Sequence, residues 1–489
     1  MAVSELWRAS ATTLRRWMEE GVVSSEELVR ATLQRIVSLD RATNAFAIVD
    51  EAGALQAARV ADRARARGEV LGPLHGLPVS VKDVIATRGL RTAYGSRLYA
   101  DHVPDTEPEA IARVRRAGGI VVGKTTTSEF AHKALTDSPL HGFTRNPWSL
   151  AHGSGGSSGG AAVAAAMGYC ALNVCTDGAG SARVPAACCG VVGLKPTLGT
   201  IPNEAAVDLF GLQVIGVIGR TVDDVALSFG VLRGPHAEDP LSLCNAWQED
   251  MHRLAEPLRG LRVRWLPRIG NEHVDVRVLA SATALLAAME AKGARVSHGT
   301  SIEWSLDSWR VLLRAQQAQR FGRLPEASRA LLDPGMRRCI DEGLAQSATE
   351  LQFALLERTA LFHRVQSLFA DADLLASPVV ASPALAATHA ADEPVVIAGR
   401  EAGTLRNGWY SYTIPINASG HPAIAVPCGV TGDGLPIGLQ LVAPWHAEAR
   451  LLRVAAAIER LCPWSERWPP LAIDAVAPSL IQETAPPAH

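Results

Sequence analysis

The sequence predicts an α/β fold, with helices packed on both faces of a sheet. Two observations support this prediction. Short apolar segments bounded by glycine alternate along the chain with segments of helical periodicity, which is the pattern of α/β architectures. The 489 residues are 48% apolar and 20% charged, an ordinary globular composition in a chain long enough to bury a large core.

The N-terminal third supplies the first predicted elements. The first 65 residues read as helices, and Ser24 and Glu27 form a capping box at the start of the helix EELVRATLQRIVSLD. The apolar run LPVSV, which is followed by Lys82, predicts a short buried strand. The segment GGIVVGKT, residues 118–125, predicts a glycine turn, a strand and a loop.

The remaining elements continue the alternation. Residues 153–221 alternate strands and Ala-rich segments with glycine turns, and residues 222–330 mix helices with the strand LRVRWLP. Near the C-terminal end, PAIAVPCGV and GLPIGLQLVAP predict two strands joined by a GDG turn. The segment EARLLRVAAAIERL then predicts a helix.

Composition and charge exclude several classes of function. The net charge of −2 gives no sign of a nucleic-acid partner. The first 30 residues lack the apolar core of a signal peptide, and the longest apolar run, GGAAVAAAMGYCALNVC, is too rich in glycine and alanine for a membrane span. The eight cysteines form no C-x-x-C pair, so we expect reduced thiols and no metal site in a cytoplasmic protein.

The segment GGIVVGKT matches the P-loop pattern G-x-x-x-x-G-K-[ST]. A nucleotide-binding P-loop follows a strand and precedes a helix, and its middle residues form a loop. Here the pattern follows a helix, and its middle residues form the predicted strand. Backbone N–H groups that pair within a sheet cannot bind phosphate, so the match does not predict nucleotide binding.

The stretch GSGGSSGGAAVAAA, residues 153–166, is the densest cluster of glycine and serine. A dinucleotide-binding loop would need a third glycine at position 158, which is serine. A linker would not continue directly into the apolar run AAVAAAMGYCALNVC. Glycines beside a core indicate backbone shapes that only glycine tolerates.

A serine-based active site is the remaining interpretation of this region. Ser181 ends the glycine-rich turn TDGAGS, where clustered backbone N–H groups could stabilise an oxyanion. No histidine stands in a comparable motif to act as base. Lys82 follows the apolar strand LPVSV, and burial can lower the pKa of a lysine enough to keep it neutral.

The motifs that surround these residues resemble the amidase signature family, over a region from about residue 60 to residue 460. Relatives in that family include fatty acid amide hydrolase, aryl acylamidases, urethanases and the glutamine-hydrolysing subunit of the glutamyl-tRNA amidotransferase. The segments that carry the resemblance are GPLHGLPVSVKDVIATRGLRTAYGS (72–96), VGKTTTSEFA (122–131), GFTRNPW (142–148), GGSSGGAAVAAA (155–166), CTDGAGSARVPAACCGVVGLKPTLG (175–199) and PAIAVPCGVTGDGLPIGLQLVAP (422–444).

The resemblance implies a catalytic triad of two serines and a lysine, matched here by Lys82, Ser157 and Ser181. In the implied mechanism Ser181 attacks the amide carbonyl, Ser157 relays the proton, and neutral Lys82 is the general base. Water then hydrolyses the acyl-enzyme. In the family the bridging serine follows a cis peptide bond, which corresponds here to the bond between Gly156 and Ser157.

Other residues of the same motifs have supporting roles by resemblance. Ser158 is expected to support the triad by hydrogen bonding, and Asp177 is expected to pair with Arg183 and fix the turn. An ordinary structural role is the strong alternative for these residues. The backbone N–H groups implied to hold the oxyanion belong to Gly178, Ala179, Gly180 and Ser181.

The resemblance also implies the organisation of the chain. We expect a single α/β/α domain over residues 1–475, with a central, mixed and twisted sheet flanked by helices. The helices of residues 1–65 and the segment 235–330 would be peripheral, the latter covering the site, and residues 476–489 would form a loose tail. No cofactor is implied. Relatives often form homodimers, and the sequence leaves the oligomeric state open.

The neighbourhood of Tyr412 bears on the substrate. In the glutamine-hydrolysing subunit of the amidotransferase, an acidic residue near this position holds glutamine, whereas the stretch from Asn407 to Tyr412 contains no acid. Trp409, Tyr410 and Tyr412 would suit an apolar or aromatic group if they line the pocket, and plain core packing is the equal alternative. The expected substrate is therefore a small apolar or aryl amide, ester or carbamate. Glutamine hydrolysis within a tRNA amidotransferase is the alternative.

Overall fold

The computed structural model describes residues 3–204, 211–242 and 258–474. The predicted loose tail, residues 476–489, lies outside these described residues. The strands in chain order are β1 (Phe46–Val49), β2 (Pro78–Lys82), β3 (Ile120–Thr125), β4 (Asp137–Ser138), β5 (Gly142–Phe143), β6 (Arg145–Asn146), β7 (Ser149–Gly153), β8 (Leu172–Asp177), β9 (Val192–Lys195), β10 (Val214–Gly219), β11 (Arg262–Trp265), β12 (Arg295–His298), β13 (Leu374–Pro378), β14 (Val396–Ile397), β15 (Arg400–Glu401), β16 (Ala423–Val430) and β17 (Pro436–Val442).

The helices connect these strands and cover the faces of the main sheet. In chain order they are α1 (Ala11–Glu19), α2 (Ser25–Thr43), α3 (Glu51–Ala66), α4 (Glu109–Arg116), α5 (Gly159–Ala166), α6 (Arg183–Cys189), α7 (Val222–Leu232), α8 (Val276–Ala291), α9 (Leu306–Phe321), α10 (Glu326–Arg329), α11 (Pro334–Ala345), α12 (Ala348–Ser367), α13 (Ile414–Ala418), α14 (Glu448–Leu461) and α15 (Pro470–Asp474).

The main sheet has 11 strands in the order β1-β3-β2-β8-β10-β9-β16-β17-β13-β11-β12. Strand β2 is parallel to both of its neighbours, β3 and β8, whereas β10, β9, β16 and β17 pair in antiparallel fashion. The sheet is therefore mixed, and helices flank it. The predicted α/β class with a central mixed sheet is confirmed.

Two large apolar clusters form most of the core, and a third, smaller cluster lies around Phe130 and Phe321. One large cluster contains buried residues of α1, α4, α7, α8 and α14, and the other contains buried residues of α5, α6, α9 and α12. Strand residues divide between the two clusters, since successive side chains of a strand point to opposite faces. In the described part of the chain, no helix is long and apolar enough to cross a membrane.

The structure adds detail to three predictions about the main sheet. The first 65 residues are not only helical, because β1 lies among them and pairs antiparallel with β3. The segment 235–330 supplies β11 and β12, which extend the sheet at its other edge. Strand β3 continues through Thr125, so the GKT residues of the P-loop match lie in the strand and not in a loop.

The glycines of residues 153–166 allow chain segments to approach closely. A Cβ on Gly156 would lie 2.4 Å from the backbone of Leu135, and one on Gly160 would lie 2.4 Å from the carbonyl oxygen of Ala45. Every residue of α5 is buried, which fits a helix made only of glycine, alanine and valine. The stretch is thus a packed segment of the core that ends against the sheet.

Candidate active site

Parallel pairing of β2 with β8 brings two polar strand ends together. Val81 lies opposite Val174 in this register, so Lys82 at the end of β2 comes beside the last residues of β8. The turn that follows β8 contains Ser181, and α6 begins two residues later at Arg183. Helix α5 begins just after Ser157 and approaches the same edge.

Hydrogen bonds join the three predicted triad residues in a continuous chain. Lys82 Nζ donates to Ser157 Oγ over 2.8 Å, and Ser157 Oγ donates to Ser181 Oγ over 2.8 Å. The peptide bond between Gly156 and Ser157 is cis. Lys82 and Ser157 are 0% exposed, whereas Ser181 is 8% exposed. The series of hydrogen bonds therefore runs from a fully buried amine to a hydroxyl that reaches a cavity.

Burial controls the protonation of Lys82. Removal from water lowers the pKa of the Lys82 amine to about 7, and the nearby Cys175 and Asp177 oppose this shift. Lys82 is thus poised between its charged and neutral forms near neutral pH. With the amine neutral, the two serine hydroxyls can reverse their hydrogen bonds and donate toward Lys82.

Thr176 is a second partner of the lysine. Lys82 Nζ donates to Thr176 Oγ1 over 2.9 Å, and Thr176 lies on β8 just before Asp177. Sequence reasoning did not single out this threonine. Its position beside Lys82 depends on the pairing register of β2 and β8, which the local sequence does not reveal.

Asp177 and Arg183 form the expected ion pair beneath the turn. Arg183 Nη2 lies 3.0 Å from Asp177 Oδ1, and both side chains are fully buried. Arg183 Nη1 also donates to Gln440 Oε1, and Nη2 donates to Asn417 Oδ1. Burial raises the pKa of Asp177, but the charge and hydrogen bonds of Arg183 outweigh it and hold that pKa well below its usual range.

The four N–H groups expected to bind the oxyanion differ in whether they already have an acceptor. The N–H of Gly180 donates to Asp177 Oδ1 over 2.7 Å, so in this structure it is not available to an oxyanion. Within the described part of the chain, the N–H groups of Gly178, Ala179 and Ser181 donate to no protein acceptor. The structure therefore leaves three of the four expected donors available.

Ser158 lies behind the triad and does not join it. Its Oγ donates to the carbonyl oxygen of Thr176 over 3.1 Å, and its N–H donates to the carbonyl oxygen of Ser181 over 3.2 Å. Both bonds tie the start of α5 to the strand and turn that contain Thr176 and Ser181. Ser158 therefore holds the backbone in register.

A cavity of about 150 Å³ opens beside Ser181. Its apolar walls include Ile85, Tyr94, Phe130 and Leu212, and its polar walls include Gln213. Leu212 and Gln213 precede β10, so the segment between β9 and β10 contributes to the cavity, although its residues 205–210 lie outside the described residues. Of the three triad residues, Ser181 alone lines this space.

The comparisons with known proteins agree with this geometry. The chain matches the family model described as Amidase over residues 27–452. The protein belongs to the amidase signature family. As a member of that family it is an amidohydrolase that acts on amide C–N bonds.

Individual relatives of this amidase fall into two kinds. An acylamidase from Rhodococcus erythropolis is 35% identical over 474 residues, which cover 96% of this chain and 98% of that protein. A glutamyl-tRNA(Gln) amidotransferase subunit from Synechococcus sp. (strain CC9605) is 36% identical over 476 residues, which cover 91% of this chain and 95% of that protein. The crystal structure of a bacterial aryl acylamidase has a TM-score of 0.88 at 27% identity, covering 96% of this chain and 99% of that chain.

The aromatic residues expected in the pocket of the amidase separate into two environments. Tyr410 lines the cavity, whereas Trp409 and Tyr412 do not. Trp409 Nε1 donates to the carbonyl oxygen of Ser382, and the Tyr412 hydroxyl donates to the carbonyl oxygen of Pro267. Both residues are 0% exposed. For Trp409 and Tyr412 the structure favours the alternative of core packing, because the core satisfies their polar groups and encloses their rings.

Helix α9, within the segment 235–330, forms one wall of the cavity. An ion-pair cluster ties the next long helix, α11, to the body of the amidase. Asp333 precedes α11, and Lys133 Nζ lies 2.8 Å from both Asp333 and Asp137. His132 Nε2 lies 3.2 Å from Asp333. Sequence reasoning named this segment as peripheral but did not identify the residues that reach the cavity.

Proposed function

We propose that the protein is a serine amidase that hydrolyses neutral apolar or aryl amides, and also esters and carbamates, through an acyl-enzyme at Ser181. The observation that carries the proposal is the unbroken hydrogen-bonded chain from Lys82 through Ser157 to Ser181, which ends in the cavity. Nucleophilic catalysis needs such a chain, because a serine hydroxyl is weak until a base accepts its proton.

In the first step the neutral Lys82 amine accepts a proton from Ser157, which accepts one from Ser181. Ser181 Oγ then bonds to the carbonyl carbon of the substrate. The pKa of about 7 for Lys82 supports this role, since a general base works best when its pKa is near the working pH.

The carbonyl oxygen becomes an oxyanion in this step. The N–H groups of Gly178, Ala179 and Ser181 supply its hydrogen bonds, and the Gly180 N–H holds the turn through Asp177. Preorganised donors of this kind provide a large share of the rate enhancement in acyl transfer.

The second half of the reaction reverses the proton path. Protonated Lys82 returns its proton through Ser157 to the leaving amine, and the C–N bond breaks. Water then attacks the acyl-enzyme with Lys82 again as base, which frees the acid and restores Ser181. Asp177 and Arg183 keep the turn in place throughout, and Ser158 holds the start of α5.

The cavity favours a substrate without a positive charge. Among the described residues, those that line it include no carboxylate, so they offer no counter-charge to the ammonium group of glutamine. Apolar groups such as Phe130, Leu212 and Tyr410 suit an aryl or alkyl group instead. We infer a small-molecule substrate, with no nucleic acid and no cofactor in the reaction.

A second candidate function is glutamine hydrolysis within a tRNA amidotransferase. The relative from Synechococcus favours it, because its identity to this chain is 36%, close to the 35% of the acylamidase. The two functions differ in the charge of the substrate and in the need for partner proteins.

The test compares three substrates, an acyl anilide, an aryl carbamate and glutamine, with the purified chain alone and no added metal or nucleotide. We expect the anilide or the carbamate to be cleaved, and Ser181→Ala to lower kcat by about 10⁴-fold or more. Release of the arylamine, and of ammonia from glutamine, is measured.

Turnover of glutamine alone would favour the amidotransferase. A Ser181→Ala variant as active as the wild type would overturn the nucleophile assignment. Circular dichroism of the variant serves as the folding control.

A further inference from the structure

One stripe of helix α9 faces the cavity. It contains Trp309, Leu313, Gln316, Gln317 and Arg320. These residues recur at intervals of three and four, so they share one side of the helix. The stripe combines apolar surface with two carboxamides and the guanidinium of Arg320.

Two buried polar groups on this stripe have no hydrogen-bond partner in the described part of the chain. Gln317 is 5% exposed, and its Oε1 is unpaired. Trp309 is 4% exposed, and its Nε1–H is unpaired. Buried polar groups are nearly always hydrogen-bonded, because an unsatisfied one destabilises the fold. Because both residues line the cavity, a bound molecule could provide the missing partners.

The polar part of the cavity contains two cations, Lys133 and Arg320, and no carboxylate among the described lining residues. Lys133 pairs with Asp137 and Asp333, and the Arg320 guanidinium lies 5.0 Å from the ring of Phe321. The side chains that remain for recognition are carboxamides, each able to donate and to accept. They belong to Asn203, Gln213, Gln316, Gln317 and Gln319.

We propose that the substrate carries a second neutral hydrogen-bonding group, of the carboxamide class, and that Gln317 selects it. A carboxamide on the substrate can donate its N–H to Gln317 Oε1 while its oxygen accepts from the Gln317 amide nitrogen. Trp309 Nε1–H adds a donor along the same wall. This inference rests on the proposed function, because the same cavity must hold the scissile amide against Ser181.

The experiment uses two pairs of anilides of matched shape. In the first pair the acyl chain ends either in a carboxamide or in an isopropyl group. In the second pair the anilide ring carries a para-carboxamide or a para-isopropyl group. Values of kcat/KM for arylamine release are measured for the wild type, for Gln317→Leu and for Gln352→Leu. Gln352 lies exposed on α12 and is not part of the cavity wall, so it controls for the substitution itself.

We expect the wild type to prefer the carboxamide member of at least one pair by about 10- to 100-fold, because a site built for a polar group rejects an analogue that leaves it unpaired. Gln317→Leu should remove the preference by lowering kcat/KM for the carboxamide member only. Gln352→Leu should keep the preference. The Tm of Gln317→Leu should not fall, because leucine removes an unsatisfied polar group.

Cleavage of both members of each pair by the wild type without preference would overturn the inference and leave the proposed function intact. Equal loss for both members in Gln317→Leu, with a lower Tm, would overturn it in favour of a structural role. Failure of the wild type to cleave any anilide would overturn this inference, and failure on the aryl carbamate as well would also overturn the proposed function.

Discussion

Two buried lysines on neighbouring parallel strands have similarly lowered pKa values and different partners. Lys82 ends β2, and Lys124 lies near the end of β3. Both are fully buried, and burial lowers the pKa of each to about 7. Lys82 Nζ contacts Ser157 and Thr176, whereas Lys124 Nζ contacts the carbonyl oxygen of Ile85 and the hydroxyl of Thr87.

The difference shows that a lowered pKa does not by itself identify a catalytic base. Lys195 is a third example, since burial lowers its pKa to about 7 and its Nζ donates to the carbonyl oxygen of Pro196. A carbonyl oxygen has no proton to give, whereas the Ser157 hydroxyl has one. The proposed base is therefore distinguished by its contact with a hydroxyl that continues to the cavity.

The strongest test of this comparison replaces each lysine with methionine. Lys82→Met should lower kcat by about 10³- to 10⁴-fold, because it removes the proposed proton acceptor. Lys124→Met should keep most of the activity, since no atom of Lys124 contacts the triad. Activity is measured on the best anilide, and circular dichroism and Tm report folding. Equal losses of kcat in Lys82→Met and Lys124→Met, with both variants folded, would contradict the assignment of Lys82 as the base.

A test of the relay compares two adjacent serines. Ser157→Ala should lower kcat by about 10²- to 10⁴-fold, because the link between Lys82 and Ser181 is lost. Ser158→Ala should lose less than about tenfold, because Ser158 Oγ donates only to the carbonyl oxygen of Thr176. The pre-steady-state rate of acylation is measured for each variant and shows which serine relays the proton. A larger loss in Ser158→Ala would show that the relay passes through the other serine.

The smallest expected effect concerns the threonine beside each lysine. For the wild type, kcat/KM should rise with pH through about 7 and then level off, because the Lys82 base is active only when neutral. Thr176→Val removes an acceptor that favours the charged amine, so it should move this inflection to lower pH, with less than about a tenfold change in kcat/KM at fixed pH.

Thr87→Val is the matched control, because Thr87 accepts from Lys124 over 2.7 Å. It should leave the inflection in place. A pH profile of kcat/KM from pH 5 to 9 is the measurement. A shift of the inflection in Thr87→Val and none in Thr176→Val would show that the titrating group is Lys124 and not Lys82.

Motifs with short internal spacing were predictable from the sequence. Ser181 and its turn were recognisable because glycine and hydroxyl residues stand together there, and the buried strand before Lys82 marked its environment. The capping box at Ser24 was also predictable, since Ser24 accepts from the Glu27 N–H and the Glu27 carboxylate accepts from the Ser24 N–H. The residues of these features lie close together in the sequence, so the local sequence is enough to predict them.

Features that depend on pairing or packing over long distances were not predictable. Thr176 reaches Lys82 only because of the β2–β8 register, and Gln317 reaches the cavity only because α9 packs across it. Strand β1 was missed because four residues between two long helices give too short a pattern. For Trp409 and Tyr412 the sequence left pocket lining and core packing as equal alternatives, because aromatic residues are common in both places.

The order of burial along the triad has a consequence for chemical labelling. Of the proposed triad residues, Ser181 lines the cavity, while Lys82 and Ser157 lie behind it with no exposed surface. A bulky electrophile such as a fluorophosphonate therefore meets the Ser181 hydroxyl first, and its adduct blocks the path to the other two. One covalent tag per folded chain is the stoichiometry that follows, so the extent of labelling counts the properly folded molecules in a preparation.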